Sequence, residues 1–406
     1  MSTPPSKVIK LDALVIGGGV TGLWTLDRLV AAGHDTALVE QDALGQGQTI
    51  CAQGILHGGT KYSLSGLLAP GARQVAEMPD RWKEHLEGAN APDLGQVRVR
   101  SEACHLWRTD SMKSIISMAG AKVALQVKPE PLQKHERPAV LAGCPGDVAR
   151  LPELVLEMPS LLETLAALHP GRIIRGRVES GTPTDGEHHR SAVTVALGEE
   201  KMLISARYVI LCGGTGNEDL LRMFSPDSLP VAMQRRPLHM AMVKGPDDAL
   251  PELNGHCVDG AKTRVTITSS TASDGERVWQ LGGELSEIGC GRGEDEQRAA
   301  ARACLRATLP GFDVDDDRLK WGTYRIDRAE QDKHPARKRK SRPDDVTITK
   351  AGGLVIVWPT KMVLAPRAAR QVSHLFEPGT GAGAPPFPDQ SPPPIAKPPW
   401  ETATWH

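Results

Sequence analysis

One short stretch constrains the fold of this 406-residue chain more than any other. An apolar run ends at Val15-Ile16, and Gly17, Gly19 and Gly22 follow at G-x-G-x-x-G spacing. A helical pattern comes next, with Leu23, Leu26, Leu29 and Val30 on one face. A second apolar run, Thr36–Glu40, closes a β-α-β unit on an acidic residue. Each glycine has a physical reason. Gly17 allows the tight turn, Gly19 lets the backbone approach a pyrophosphate, and Gly22 lets helix pack close to strand. The helix N-terminus, with Val20 and Thr21 in its first turn, receives the negative charge. Glu40, with Gln41 beside it, is placed to hold a ribose hydroxyl. The unit predicts a bound ADP-containing dinucleotide.

Charge and cysteine content narrow the setting. Lys and Arg number 48 against 49 Asp and Glu, a net charge of −1, so no global basic field attracts nucleic acid, and none is expected as a partner. The seven cysteines form no C-x-x-C pair, which argues against a zinc site and against a disulfide framework. No metal is therefore expected, and reduced thiols fit a cytoplasmic protein. Residues Met1–Lys7 contain no apolar signal region, and no stretch approaches the roughly 18 consecutive apolar residues of a membrane span.

The segment after the unit decides which dinucleotide. Gln48-Thr49, Gly54-Ile55-Leu56-His57, Gly59 and Tyr62 are similar to the Q-T…G-V-I-H-x-G-x-x-Y stretch of L-2-hydroxyglutarate dehydrogenases. His57-Gly58-Gly59 with Tyr62 also resembles the H-G-G-L-R-Y of glycerol-3-phosphate dehydrogenases. The chain thus resembles the superfamily of FAD-dependent oxidoreductases that includes D-amino-acid oxidase. Further likenesses follow in order: Val155–Leu162, Arg172–Val178, Ala206–Asn217, Arg236–Met240, Trp321–Arg325 and Pro359–Met362. Together they span roughly residues 10–377.

The resemblance implies an α/β (α+β overall) architecture, a Rossmann-like FAD-binding domain with a discontinuous antiparallel-sheet substrate domain. It implies FAD as cofactor. Besides the first turn and Glu40-Gln41, the expected FAD contacts are Gln48, Thr49, Gly54, Leu56 and His57 on the flavin-flanking loop. Val178 is expected at adenine, Gly213 and Gly214 at a second glycine turn, and Thr360, Lys361 and Met362 at the flavin edge. The expected FAD domain comprises residues 1–78, 145–222 and 345–377, and the substrate domain residues 79–144 and 223–344. From Pro378 the composition turns to Pro, Gly and Ala, which predicts a disordered tail over 378–406. Its terminal Trp400 and Trp405 read as a docking peptide or as a tail lying on the protein's own surface.

Three residues are expected to carry chemistry. His57 is a candidate base, because imidazole accepts a proton near neutral pH. Hydrogen bonding to backbone alone, or a covalent bond to the flavin, are its competing roles. His239 matches the superfamily's histidine strand. Arg325 matches its substrate-binding arginine, a fork suited to a carboxylate, although Ile326 stands where the superfamily has proline. Trp358-Pro359-Thr360 likewise replaces the usual glycines before Lys361. A basic run, Lys333–Arg342, reads as a solvated loop or as a guide for anions.

These features predict oxidation of a small anionic substrate at a CH–OH carbon. Amino-acid or amine (CH–NH) oxidation is the alternative, because one fold hosts both. A non-turnover flavoprotein acting as docking or electron-transfer partner is a third reading. The electron acceptor (oxygen, quinone or protein) is open. So is peripheral contact with the inner face of the membrane, since related dehydrogenases reduce quinones.

Overall fold

The computed structural model describes residues 8–58, 77–109, 129–182, 190–225, 231–259, 262–332, 343, 345–358 and 361–406. Gly59, Tyr62, the basic run 333–342 and Thr360 lie outside them. Two eight-stranded sheets organise the described residues. The first begins with β1 (Val8–Ile16), followed by helix α1 (Val20–Ala31) and strand β2 (Thr36–Glu40). Helix α2 (Met78–Leu86) leads into strands β3 (Val99–Ser101), β4 (Cys104–Arg108), β5 (Glu130–Pro131), β6 (Val148–Leu151) and β7 (Val155–Leu156). Helix α3 (Met158–Ala167) precedes β8 (Ile173–Arg175), β9 (Arg177–Gly181), β10 (Ser191–Leu197) and β11 (Glu200–Leu211). After α4 (Asn217–Phe224) come β12 (Ala232–Gly245), β13 (Gly255–Asp259), β14 (Lys262–Thr271) and β15 (Arg277–Gly282). Helices α5 (Glu284–Ile288) and α6 (Glu294–Thr308), then β16 (Lys320–Asp332), β17 (Thr347–Ala351), β18 (Leu354–Trp358) and α7 (Ala365–Ser373) complete the order.

In the first sheet the order is β17-β18-β11-β1-β2-β8, parallel from β18 to β8. Such a sheet must be covered on both faces, and β1 shows how. Ala13 and Val15 join a core built with Leu23, Leu26 and Leu29 of α1 and with α3 and α7, while Leu14 and Ile16 join a second core on the opposite face. The other sheet, β16-β12-β15-β14-β13-β4-β6-β5, is antiparallel apart from the β13–β4 pair, and α6 packs Ala301 and Leu305 onto one face.

Two segments cross the expected domain boundaries. Trp82 of α2, expected in the substrate domain, sits in the first core edge-on to Trp24, with ring centroids 4.7 Å apart. Strand β6, expected in the FAD domain, pairs with β4 in the second sheet. Local apolar pattern does not say which core a segment joins.

The tail is a larger correction. Residues 378–406, expected to be disordered, lie on both halves of the molecule. Phe387 and Trp400 are buried, and the backbone of Pro394 and Ala396 bonds to Leu44. Composition alone misleads here, because a Pro-rich segment still docks on a folded domain when a few large side chains, here Phe387 and Trp400, are buried against it.

Candidate functional site

The C-terminal ends of β1, β2, β11 and β18 converge where a parallel sheet presents its ligand crevice. A cavity of about 370 Å³ opens there. Its first wall carries Gly17, Gly19, Val20, Thr21, Glu40, Gln48, Thr49, Gly213, Gly214, Lys361 and Met362, all anticipated from sequence. Its second wall comes from the other sheet and includes Leu238, Met240, Thr266, Gly282, Ile326 and Arg328.

The glycine turn is built by close backbone packing. Gly17 adopts φ +111°, and a Cβ there would lie 2.6 Å from the carbonyl of Cys212. Gly22 presses on the turn itself, where a Cβ would lie 1.9 Å from the Gly17 oxygen. Gly22 therefore does not line the cavity; it lets α1 aim its N-terminus at it. That terminus is partly supplied already: the Val20 N–H donates to Thr49 Oγ1 at 3.2 Å. Glu40 accepts the Gly18 N–H at 2.7 Å through Oε2 and the Asp42 N–H at 3.1 Å through Oε1. Its carboxylate is thus held rigidly on the wall, while neighbouring Gln41 is exposed and off the cavity. These features fit an extended dinucleotide: an open helix N-terminus, a fixed acid at the end of β2, and glycines whose missing side chains leave backbone exposed. Glu40→Ala removes a charged acceptor of two backbone donors, worth about 1.5–3 kcal/mol each. We expect FAD to bind roughly 10–100-fold more weakly, read by titrating apo-protein with FAD and following flavin fluorescence.

Other sequence candidates fall elsewhere. Gly54 sits at φ +78° against the Leu156 carbonyl, Leu56 is fully buried in the first core, and Val178 pairs with Val195 in the side meander. None of the three lines the cavity. His239 and Arg325 face each other across β12 and β16, on the face away from the cavity. His239 Nδ1 contacts the Gly289 carbonyl at 3.1 Å, and Arg325 donates to the carbonyls of Cys290 (3.0 Å) and Arg292 (2.5 Å). The correction follows from strand period: their neighbours Leu238, Met240 and Ile326 point into the cavity instead. Arg325→Gln should therefore leave FAD affinity unchanged and shift Tm by only about 2–4 °C, as calorimetry would show.

His57 is not on the cavity wall but joins a constellation with the buried Glu153 and His256 that sequence did not reveal. Its Nδ1 lies 3.5 Å from Glu153 Oε2, and His256 Nε2 lies 3.4 Å from the same oxygen. Glu153 is 1% exposed, and its Oε1 accepts the Gly58 N–H at 3.0 Å. Burial works against ionisation of Glu153, yet hydrogen bonds from His256 and His57 overcome it and hold the carboxyl well below the usual range. The three donor atoms lie within 4.8 Å of one another, a spacing that a shared proton or a divalent cation could bridge. His256 Nδ1 meets Thr266 Oγ1 at 3.0 Å, and Thr266 lines the cavity.

The loop bearing His57 is fixed to the second sheet. Gln53 Nε2 donates to the carbonyls of Thr266 (3.1 Å) and Gln280 (3.0 Å), and Arg100 donates to the Gln53 carbonyl at 2.9 Å. The Tyr324 hydroxyl donates to the Cys51 carbonyl at 3.2 Å and accepts from Gln280 at 2.8 Å. Burial pushes that phenol well above its ordinary range, so it stays a neutral donor.

Comparison with known proteins agrees with this geometry. The model of the family described as FAD dependent oxidoreductase matches residues 12–357. The probable FAD-dependent oxidoreductase PA4991 of Pseudomonas aeruginosa is 38% identical over 407 residues, covering 98% of this chain and 99% of that protein. Its crystal structure superposes with a TM-score of 0.79 over 97% of this chain and 98% of that one. Glycine oxidase from Geobacillus kaustophilus (TM-score 0.60, 17% identity) shares the fold over 94% of this chain and 99% of its own. L-alpha-glycerophosphate oxidase from Mycoplasma pneumoniae, solved with FAD bound, does so over 95% and 100% (TM-score 0.65, 13% identity).

Proposed function

We propose that this chain, which belongs to the FAD-dependent oxidoreductase family, oxidises a small anionic substrate at a CH–OH carbon, of the glycerol-3-phosphate or 2-hydroxy-acid kind. The observation that carries this reading is the buried Glu153 carboxylate set between His57 and His256, one hydrogen bond behind the cavity wall. An alcohol carbon that gives up a hydride must also lose its hydroxyl proton, so a base is required; a free amine needs none. Bound FAD supplies the two-electron acceptor, with N5 taking the hydride. Thr266 and His256 relay the proton from the cavity to the Glu153–His57 pair, where His57 takes it and the carboxylate balances its charge. Lys361 and Arg328, the latter paired with Glu287 at 3.4 Å, are the cations among the lining residues, and they attract the anionic end of the substrate.

An anaerobic titration of FAD-loaded protein tests this. Glycerol 3-phosphate, 2-hydroxyglutarate and lactate are compared with glycine, proline and D-alanine. Bleaching of the oxidised flavin band by a hydroxy compound is the expected result, and bleaching by an amino acid alone gives the chemistry to CH–NH oxidation. A band that none of them bleaches favours a docking or electron-transfer role. Adding oxygen or a quinone to the reduced protein then identifies the acceptor. Among the described residues no helix is long and apolar enough to cross a membrane.

A further inference from the structure

We propose that residues 378–406 form a strap whose seating is thermodynamically coupled to FAD binding. The strap contributes no residue to the cavity wall; it grips the parts that do. Leaving α7, it docks on the turn after α1, where Gly379 and Gly381 N–H groups donate to the Ala32 and Gly33 carbonyls at 2.9 and 3.0 Å. Phe387 N–H then bonds to the Gly171 carbonyl at 2.9 Å, with the ring buried.

The next contact reaches the cofactor loop. Leu44 N–H donates to the Pro394 carbonyl at 2.8 Å, and Ala396 N–H to the Leu44 carbonyl at 2.9 Å. Leu44 opens the loop that supplies Gln46, Gly47, Gln48 and Thr49 to the wall. It also props the glycine turn: its side chain would be 2.5 Å from a Cβ on Gly18, and the Gly45 N–H donates to the Gly18 carbonyl at 2.9 Å. Gly18 in turn holds Glu40.

The far end crosses to the second sheet. Trp400 packs with Met242, Ala272 and Val278, and Tyr324 and Trp405 pack against that cluster. His406 and Trp321 exchange backbone hydrogen bonds of 2.8 and 3.1 Å along the open edge of β16. Tyr324 then touches the Cys51 carbonyl, at the other end of the same cofactor loop. One segment thus braces both ends of the loop and ties together the two sheets that wall the cavity. A seated strap lowers the ordering cost of binding FAD, and bound FAD must stabilise the seated strap by the same factor.

The test uses the full chain with FAD itself. Proteinase K digestion, followed by mass spectrometry, measures cleavage within 378–406 in apo and FAD-loaded protein. We expect cleavage at least about 10-fold slower with FAD, a coupling of ordinary size. Trp400→Ala, which removes the anchor on Met242, Ala272 and Val278, should weaken FAD binding by a similar factor, and Trp400→Phe should restore most of it. Ala396→Pro, which deletes the donor to Leu44, should do the same from the other end. Equal cleavage of the wild-type tail with and without FAD overturns the proposal, whatever the variants do. So does wild-type FAD affinity in both Trp400→Ala and Ala396→Pro. Neither readout depends on the substrate, so a failed substrate assignment leaves the test intact.

Discussion

Gly22→Ala is expected to yield a protein that purifies without flavin and binds added FAD at least about 100-fold more weakly. The reason is steric and local. A Cβ at Gly22 would sit 1.9 Å from the Gly17 carbonyl oxygen, a distance no such pair of atoms tolerates. The obstacle is backbone, so no rotamer change relieves it. Either α1 moves off the turn or the turn rises into the cavity. Gly17 has no room to yield, since it is itself wedged against Cys212 and Gly213. Overpacking of this kind costs roughly 1–3 kcal/mol in stability, and it falls on the helix terminus that faces the cavity. A loss of about 3 kcal/mol in binding corresponds to two orders of magnitude. Gly216→Ala is the matched control: it lies in the second glycine turn, but no atom is within 4 Å of its would-be Cβ. It should bind FAD as wild type. Fluorescence titration gives both affinities, and urea unfolding gives the stability loss. If Gly22→Ala keeps its flavin, the close-packing role assigned to this glycine is wrong.

That contrast marks what a sequence can reveal. The glycine unit was legible because helix, strands and spacing are local and Gly22 presses on Gly17 within the same turn, although the neighbour that constrains Gly17, Cys212, lies far along the chain. The flavin-loop residues Gln48 and Thr49 and the second turn at Gly213-Gly214 were legible by resemblance, and they line the cavity. Parity was not. His239 and Arg325 were placed in the right strands, but a period of two decides which face a residue takes, and both turn to the connection between α5 and α6. Three-dimensional pairings were not legible either. Glu153 lies in a loop between two short strands, 96 residues from His57 and 103 from His256. Its neighbours Leu151, Pro152 and Leu154 give an acid no special mark. Only the turn at Gly54, which lays residues 54–56 beside 154–156, brings the carboxylate under the histidine.

Glu153→Gln should separate the structural from the chemical part of that constellation. The amide keeps the size of the side chain and can still accept the Gly58 N–H, but it cannot carry the charge that the two imidazoles face. Because the folded carboxyl is held below its unfolded range near 4.3, its contribution is present above that range and lost as pH falls through the folded value. Wild type should therefore be about 2 kcal/mol more stable than Glu153→Gln at pH 7, the worth of one charged hydrogen bond. The difference should shrink in acid below the ordinary carboxylate range, as unfolding at stepped pH would show. Function should fail more severely. With whichever hydroxy substrate bleaches the flavin, the anaerobic reduction rate should fall roughly 10²–10⁴-fold, the usual contribution of a positioned base. His57→Gln should cost about as much, and the double variant little more than either single, because residues acting as one unit are not additive. The remaining rate should climb with pH as hydroxide replaces the missing base. A purely structural Glu153 would lower Tm while leaving the reduction rate and its pH profile as in wild type, and that outcome would remove His57 from the chemistry and favour amine oxidation.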